Sequence, residues 1–326
     1  MTVRRSIPRA GLLAIALAVP LALASCAWFP DRREPPYEMA NSWGGQGAGP
    51  GEFSDPNGIA VTGDRVFVAD SRNHRIQVFT RAGAFIDQWP VPEEGRPMNL
   101  DVAEGRLYAA DYWNDVIRVY ALDSGDLLDS IGGPGDGPGR FRNPGGVAVG
   151  PDGHLFVADF ANQRIQKLGP DGDFVRQWGT TGKKGYIFGG GFNYPVDVAV
   201  AGDGTLFVAD GFNDRIQVFG PDGEFRHKWG GPFAANIGGD HFGWFRVPTG
   251  IALGLDGRVV FVADQENNRI QKFTRDGDFL TAFGTPHDGA GYTESAVAVA
   301  ADGTVYTANL VDNRVETWRP STASNE

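Results

Sequence analysis

Repeated aspartates and arginines are the first residues of this sequence that could do chemistry. An aspartate follows an alanine five times, and an asparagine holds the same place in a sixth copy: Asp70, Asp111, Asp159, Asp210, Asp264 and Asn309. An arginine follows five positions later in five of the copies: Arg75, Arg164, Arg215, Arg269 and Arg314. A carboxylate beside a guanidinium could serve as a general acid or bind an ion, but an active site needs such a pair once. The recurrence therefore indicates a structural role in every copy.

Histidines give little support for a metal site or a catalytic triad. The five are His74, His154, His227, His241 and His287, and none has the short spacing of zinc ligands. His241 and His287 could share one face of the fold. The sequence shows no Ser-His-Asp spacing, and its one obvious carboxylate pair outside the repeat is Asp101 with Asp197. We therefore predict no catalytic residues and no metal ligands from these motifs.

The spacing of the copies predicts the fold that must position these residues. Successive anchor positions are 41 to 54 residues apart. Each copy contains short apolar segments separated by Asp-Gly turns such as Asp152-Gly153 and Asp203-Gly204, which favour tight hairpins. A repeat of this length with several strands is typical of propeller blades. We predict an all-β, six-bladed β-propeller of four-stranded antiparallel blades.

A missing outer strand predicts how the ring closes. Outer-strand segments end at five positions for six units: Trp89, Ile131, Trp178, Trp229 and Phe283. Residues 37–44 (YEMANSWG) resemble residues 172–179 (GDFVRQWG) of the third unit. The N-terminal segment should therefore complete the sixth blade, which leaves no open sheet edge between the chain ends.

The units resemble the NHL repeat. That repeat has a Pro-x-Gly-Ile-Ala-Val inner strand, a Val-Ala-Asp-x-x-Asn-x-Arg-Ile-Gln-x-Phe core and a glycine-rich lead-in that ends in Phe. Residues 45–53 and 132–141 match the lead-in, and the likeness covers about 41–319. The resemblance implies a six-bladed propeller. It leaves function open, because the family includes RNA-binding and protein-binding modules, extracellular sensor domains and a peptidyl-hydroxyglycine amidating lyase.

The amidating lyase implies a specific test of these residues. Its zinc histidines lie directly after the proline of the inner-strand motif. The equivalent positions here hold Asn57, Met98, Gly145, Val196, Thr249 and Ser295. Because none is histidine, the resemblance does not extend to the zinc site or to the lyase activity.

Polar residues at the start of the inner strands should line the mouth of the central channel. Those that differ between units are Asn57, Asn99, Asp101, Asp197 and Thr249. Asp101 is the most unusual, because the other five units have alanine at its position. Together with Glu294, these residues could form an acidic mouth that holds a hydrated cation such as Ca²⁺. The alternative is a channel filled with water alone, which requires no cofactor.

Two long linkers, residues 179–194 and 230–247, are unusually rich in aromatic residues for loops. The candidate ligand-binding residues there are Tyr186, Phe188, Phe192, Tyr194, Phe233, His241, Trp244 and Phe245. They either pack on one another as a cap or present a surface for sugars, a peptide or another protein.

The N-terminus resembles a bacterial lipoprotein signal. Three arginines precede an apolar run that ends in Leu23-Ala24-Ser25-Cys26, and Cys26 is the only cysteine. We predict a signal peptide over 1–25, a lipidated Cys26 with a polar tether over 26–36, the propeller over 37–319 and a tail over 320–326. Cys26 would anchor the protein in a membrane lipid, outside the cytoplasm at the bacterial cell envelope.

Charge further limits the partners. Removal of residues 1–25 takes away three arginines and no acid, so the net charge changes from −11 to −14. So acidic a surface repels phosphate backbones, and we predict no nucleic acid partner. Three hypotheses remain: a module that binds a protein, peptide or glycan through its loop face; a lyase, lactonase or hydrolase with a site at the channel mouth; and a structural scaffold. The absence of catalytic motifs favours the binding module.

Overall fold

A computed structural model of the protein describes residues 30–179, 189–235, 237–254, 257–285 and 293–321. Five blades run in sequence from the inner to the outer strand, and their strands are antiparallel neighbours. Their bounds are Pro56–Thr62, Arg65–Asp70, Arg75–Thr80 and Phe85–Pro90 (β2–β5, blade one); Pro97–Ala103, Arg106–Asp111, Val116–Ala121 and Leu127–Gly132 (β6–β9, blade two); Gly146–Val149, Leu155–Asp159, Arg164–Leu168 and Phe174–Trp178 (β10–β13, blade three); Pro195–Val200, Leu206–Asp210, Arg215–Phe219 and Phe225–Trp229 (β14–β17, blade four); and Pro248–Leu253, Val259–Asp264, Arg269–Thr274 and Phe279–Phe283 (β18–β21, blade five).

Blade six is assembled from both ends of the chain. Its inner three strands are Glu294–Val299, Val305–Asn309 and Arg314–Pro320 (β22–β24), and its outer strand is Tyr37–Gly44 (β1). Strand β1 pairs antiparallel with β24, with Tyr37 opposite Pro320 and Gly44 opposite Arg314. The six-bladed all-β fold and its closure by an N-terminal strand are therefore confirmed.

The core lies between the blades. Among the described residues, the buried apolar side chains form six clusters, and each joins the facing surfaces of neighbouring blades. Phe192 and Phe245 belong to two of them. No helix within the described ranges is long and apolar enough to cross a membrane.

The repeated aspartates hold the loops of one face in place. In blade four, Asp210 accepts hydrogen bonds from Asn193 N at 2.8 Å and from Arg215 Nε at 2.8 Å. Arg215 in turn donates to Gly191 O, in the segment that leads into the same blade. Asp210 and Arg215 have no exposed surface. A buried charge pair whose hydrogen bonds are satisfied fixes the position of the segment that leads into the blade. This agrees with a structural role for the repeated aspartate and arginine.

Part of the predicted tether packs on blade five. Arg33 N and Glu34 N both donate to Leu280 O, at 2.8 and 3.0 Å. The Lys272 ammonium contacts the Glu34 carboxylate at 2.5 Å. As a result Leu280 is only 9% exposed. Residues 33–34 therefore cover an outer strand, whereas the sequence predicted only a polar linker there.

Candidate functional site

The candidate site is the mouth of the central channel, on the face where the inner strands begin. The residues that follow the inner-strand prolines of five blades, together with Ser295 of blade six, form a ring around a cavity of about 240 Å³. The ring consists of Asn57, Met98, Gly145, Val196, Thr249 and Ser295. Phe160, Phe212, Val247 and Gln265 form the wall above it. We call this cavity the mouth pocket.

An aromatic cluster borders the mouth pocket on the side of blades two to four. The ring centroids of Phe160 and Tyr194 are 4.8 Å apart, and those of Tyr194 and Phe212 are 5.3 Å apart. Tyr112 extends the cluster, at 6.0 Å from Phe160. Phe212 is 48% exposed, although its neighbours on the chain are buried. An exposed ring supported by other rings is a surface suited to stacking or apolar contact.

Local backbone structure fixes the position of Phe212. Residues Gly211–Asn213 form one 3-10 turn, and Asp214 ends it in the left-handed region with φ of 48°. Asn213 Nδ2 donates to the buried Asp210 carboxylate at 2.9 Å. The hydrogen bond of Asn213 to Asp210 and the left-handed residue Asp214 fix this turn, which directs Phe212 outward from the blade. The ring is presented by a rigid support rather than by a free loop.

The opposite side of the mouth is polar, and its groups join neighbouring blades. Thr249 Oγ1 donates to Ser295 O at 3.0 Å, and Ser295 Oγ donates to Pro56 O at 2.8 Å. Asn57 Nδ2 donates to Asp55 O and to Ser71 Oγ. The two hydroxyls of Thr249 and Ser295 donate to backbone carbonyls, so no base activates them as nucleophiles.

Asp197 lies beneath the mouth, inside the channel. Its Oδ1 accepts from Val198 N at 2.7 Å and its Oδ2 accepts from Ile251 N at 2.9 Å, so it joins blade four to blade five. The side chain of Asn99 also donates to it. A Cβ added to Gly146 would lie 2.4 Å from Asp197 Oδ1, so this approach requires glycine there. Burial raises the pKa of Asp197 to about 7, with a smaller contribution from the charge of Asp101.

Asp101 lies in the inner part of the channel, a cavity of about 260 Å³. Its carboxylate accepts from Val149 N of blade three at 2.7 Å and from Val102 N at 2.8 Å. Burial raises the pKa of this carboxyl group as well. Of the five residues expected at the mouth, Asn57 and Thr249 lie in its ring, Asn99 borders both cavities, and Asp101 and Asp197 lie deeper. Both aspartates have each oxygen engaged by backbone N–H groups of two blades.

Glu294, the sixth residue expected at the acidic mouth, lies elsewhere. Glu294 is fully buried in blade six, where it accepts from Thr285 N at 2.8 Å and contacts the Thr293 hydroxyl. In the ranges that the structure describes, no three or more His, Cys, Asp and Glu side chains are grouped as metal ligands.

The aromatic residues of the two long linkers divide into three places. Phe192 and Phe245 are fully buried against Phe219 and Phe273, because they end the lead-in of the repeat; they are core residues and not an open ligand surface. Tyr194 belongs to the cluster at the mouth pocket.

The third place is an outer groove beside the N-terminal segment. Phe233, which is 69% exposed, and Trp244 border this groove of about 480 Å³. The ring of His241 contacts that of Trp244. Tyr186, Phe188, His287 and Cys26 lie outside the described residues.

Sequence reasoning missed Phe160 and Phe212 at the mouth. A signal was present: Tyr112 and Phe160 directly follow the anchor aspartate, and Phe212 follows it by two positions, whereas Ser71, Gln265 and Leu310 occupy the first of these places in other blades. Comparison of this variable position between units would have located the aromatic side of the mouth.

The comparisons with known proteins agree with this architecture. The NHL repeat model matches residues 53–79, 141–168, 192–219 and 245–273. The chain therefore contains NHL repeats, and it folds as a six-bladed β-propeller. A solved structure of a streptogramin B lyase shares the fold, with a TM-score of 0.59 and 18% identity over 82% of this chain and 94% of that one.

Two curated proteins are similar to part of this chain. Peptidyl-glycine alpha-amidating monooxygenase B of Xenopus laevis is 33% identical over 183 residues, which are 53% of this chain and 20% of that protein. NHL repeat-containing protein 3 of Homo sapiens is 28% identical over 237 residues, which are 66% of this chain and 61% of that protein. The chain thus matches only about a fifth of the amidating enzyme.

Proposed function

We propose that this NHL propeller is a binding module that holds an apolar or aromatic side chain of a peptide in the mouth pocket. The NHL propeller is a general scaffold for binding and interaction. The observation that carries the proposal is the half-exposed ring of Phe212, supported by Tyr194 and Phe160 at the mouth. The name of the Xenopus relative, which acts on peptidyl-glycine, favours a peptide over a glycan.

The polar side of the mouth supports the same choice. Asn57 and Gln265 line the pocket together with the aromatic side chains. A peptide offers both an apolar side chain for the rings and amide groups for these polar side chains. The pocket is small, so it selects one side chain rather than a folded domain.

A matched pair of variants in blade four tests this proposal. Phe212 is 48% exposed at the mouth, and Phe225 is 40% exposed on the outer strand of the same blade. On an array of linear peptides, Phe212→Ala should weaken binding by about tenfold to a hundredfold, as for a central aromatic anchor. Phe225→Ala should leave binding unchanged. Equal binding by both variants and the wild-type protein would disprove the mouth as the peptide site.

We also propose that Cys26 anchors this module to a membrane lipid outside the cytoplasm. The support is the lipoprotein-like sequence that precedes Cys26. Cys26→Ser should abolish metabolic labelling with a fatty acid and move the protein from the membrane to the soluble fraction. Unchanged membrane fractionation would refute the anchor while leaving the peptide site untouched.

A further inference from the structure

Five of the six blade junctions are filled by a pair of aromatic rings. The last large residue of each outer strand packs against the last large residue of the third strand in the next blade. The aromatic pairs are Trp43–Phe79, Trp89–Tyr120, Trp178–Phe219, Trp229–Phe273 and Phe283–Trp318, with centroids 5.3 to 6.2 Å apart. At the junction of blades two and three, the same positions hold Ile131 and Leu168. This junction is therefore missing two rings.

A cavity of about 330 Å³ lies where the rings are missing. Its floor consists of Tyr108, Val119 and Ile131, which are buried. Leu128 borders the opening and is 54% exposed, unlike the buried Leu280 at the same place in blade five. An apolar floor below an open rim of charged side chains is suited to an inserted apolar side chain. We call this cavity the junction pocket.

The junction of blades five and six shows which kind of side chain can cover the surface that corresponds to the junction pocket. There Phe283 stands in place of the tryptophan, and Tyr37 stacks on it with centroids 4.5 Å apart. Tyr37 also meets the edge of Phe261, at 5.9 Å. Phe261 and Phe283 hold the strand positions that Tyr108 and Ile131 hold at the junction pocket. An aromatic side chain from an extended segment thus covers, at one junction, the surface that is open at the other.

The outer strands of blades two and five also have acidic residues at equivalent positions. The extended segment that carries Tyr37 places Arg33 beside Asp278, with Arg33 Nη1 3.5 Å from Asp278 Oδ2. Asp278 directly precedes the outer strand of blade five, and Asp126 directly precedes the outer strand of blade two. Asp129 and Asp171 border the junction pocket as well. Arg106 is the one cation among the lining residues, so acidic side chains outnumber basic ones along this edge, and the edge suits a basic partner.

We propose that the junction pocket is a docking site for an extended, basic segment of a partner protein. An aromatic side chain of that segment enters the pocket, and an arginine four residues before it meets Asp126. Backbone N–H groups of the segment reach Leu128 O, as those of Arg33 and Glu34 reach Leu280 O. This site lies on the rim of the propeller and is independent of the mouth pocket.

The probe is a fluorescent peptide of sequence Pro-Asp-Arg-Arg-Ala-Pro-Pro-Tyr, titrated with the full chain by anisotropy. It copies residues 30–37, with alanine in place of the glutamate, because Val119 stands where Lys272 holds Glu34. Ile131→Trp restores the residue that four other blades have and should fill the pocket. It should weaken peptide binding by more than about tenfold. Replacement of the peptide's tyrosine by alanine should have a similar effect.

Two further variants keep the test decisive. Leu128→Asp changes an exposed side chain, so it tests the rim without risk to the core, and it should also weaken binding. Ile86→Ala changes the equivalent exposed position of blade one, where Trp89 fills the junction, and should have no effect. Equal peptide affinity for the wild-type protein and Ile131→Trp would overturn the proposal. So would dimers of the wild-type chain that Ile131→Trp abolishes, since the occupant would then be a second copy.

Discussion

Blade four and blade six form the same buried network with the charge in different places. In blade four, the Asp210 carboxylate accepts from Arg215 Nε at 2.8 Å and from Gln217 Nε2 at 2.9 Å. In blade six the carboxylate belongs instead to Glu316, at the position of Gln217, and it accepts from Arg314 Nε at 2.8 Å. Each of the two blades therefore has a buried carboxylate beside its guanidinium, although the second strand supplies it in blade four and the third strand in blade six.

The exchange in blade six is compensated. Asn309 takes the anchor position of the aspartate, and its Nδ2 donates to Glu316 Oε1 at 2.9 Å. An amide and a carboxylate have thus traded places within one network. Blade six also has a second acid there, because Asp312 stands at the position of Asn213 and pairs with Arg314 at 3.2 Å. The side chains of Asn309 and Glu316 remain fully buried. A buried guanidinium whose carboxylate were lost without replacement would be strongly destabilising.

In blade two the arginine, rather than the carboxylate, has changed its position in the network. Val116 stands where the other blades have the arginine, and Arg118 stands at the position of the glutamine. Arg118 Nε donates to Asp111 Oδ2 at 3.1 Å. The guanidinium has moved two residues along the strand, to the next position on the same face. In blades two and six, as in blade four, a guanidinium therefore pairs with a buried carboxylate, although the two groups occupy different positions.

Blade six differs from blade four in a second respect, an additional buried acid. Glu294 occupies the place of the inner-strand proline, Pro195 in blade four. Burial raises the pKa of Glu294 to about 7, and the charge of nearby Glu316 adds to the effect. The blade that joins the chain ends therefore carries an acid whose charged form the fold disfavours.

The largest expected effect comes from removing the outer strand of blade six. Blade six takes this strand from the N-terminal part of the chain, whereas the outer strand of blade four directly follows its other three strands. Deletion of residues 37–43 removes β1, including Tyr37 and Trp43, and exposes the edge of β24. The lost aromatic burial and strand pairing should lower the free energy of unfolding by on the order of 6 kcal/mol. Urea denaturation of the deletion variant measures this. Glu38→Ala, at an exposed position of the same strand, is the control; a deletion no more harmful than this control would mean that β1 does not close the ring.

A second prediction transfers the arrangement of blade six into blade four. Asp210→Asn removes the carboxylate beside the fully buried Arg215, and should destabilise the protein by about 3–5 kcal/mol. The double variant Asp210→Asn with Gln217→Glu recreates the pattern of Asn309 and Glu316. It should regain more than half of that loss, as measured by a double-mutant cycle of unfolding free energies. If the second substitution destabilises further, the two blades do not share one network.

Local patterns were sufficient to predict the blades and their closure. Residues 37–44 repeat the outer-strand pattern that ends at Trp178, and a strand of this kind is specified by adjacent residues. The burial of Phe192 and Phe245 could also have been inferred, because Phe53 and Phe141 end the same lead-in in other units. Those four rings are all buried. At this position, comparison across the units is therefore sufficient to predict that the side chain is buried.

The mouth and the networks of blades two and six were harder to predict for a physical reason. Phe160 and Tyr194 are neighbours because adjacent blades meet at the axis, and no local pattern contains that contact. The roles of Arg118 and Glu316 became visible only when two positions were considered together. Asp197 was expected at the mouth, but backbone N–H groups of two blades hold it inside the channel. Contacts across blades depend on ring closure rather than on the repeat.

The smallest expected effect is the pH dependence that Glu294 gives to blade six, at the position where blade four has Pro195. Because the folded state holds the Glu294 proton up to about pH 7, whereas the free side chain loses it near 4.5, the folded state binds more protons between these values. The free energy of unfolding should therefore fall as pH rises from about 4.5 to 7. The contribution of this one group is on the order of 3 kcal/mol. Glu294→Gln removes the titration, so the variant should be more stable than the wild-type protein at pH 8 and similar to it at pH 4.

Thermal or urea unfolding of the two proteins across that pH range isolates Glu294 from other acids. Asp197, whose pKa is also raised to about 7, titrates in both proteins, so its contribution cancels in the difference. Glutamine can keep both contacts, because its oxygen accepts from Thr285 N and its amide can donate to the Thr293 hydroxyl. A constant difference in unfolding free energy from pH 4 to pH 8 would show that Glu294 is ionised in the folded protein. In that case Glu294 would be charged near Glu316, although Arg314 of that blade already pairs with both Glu316 and Asp312. Arg215 of blade four pairs with Asp210.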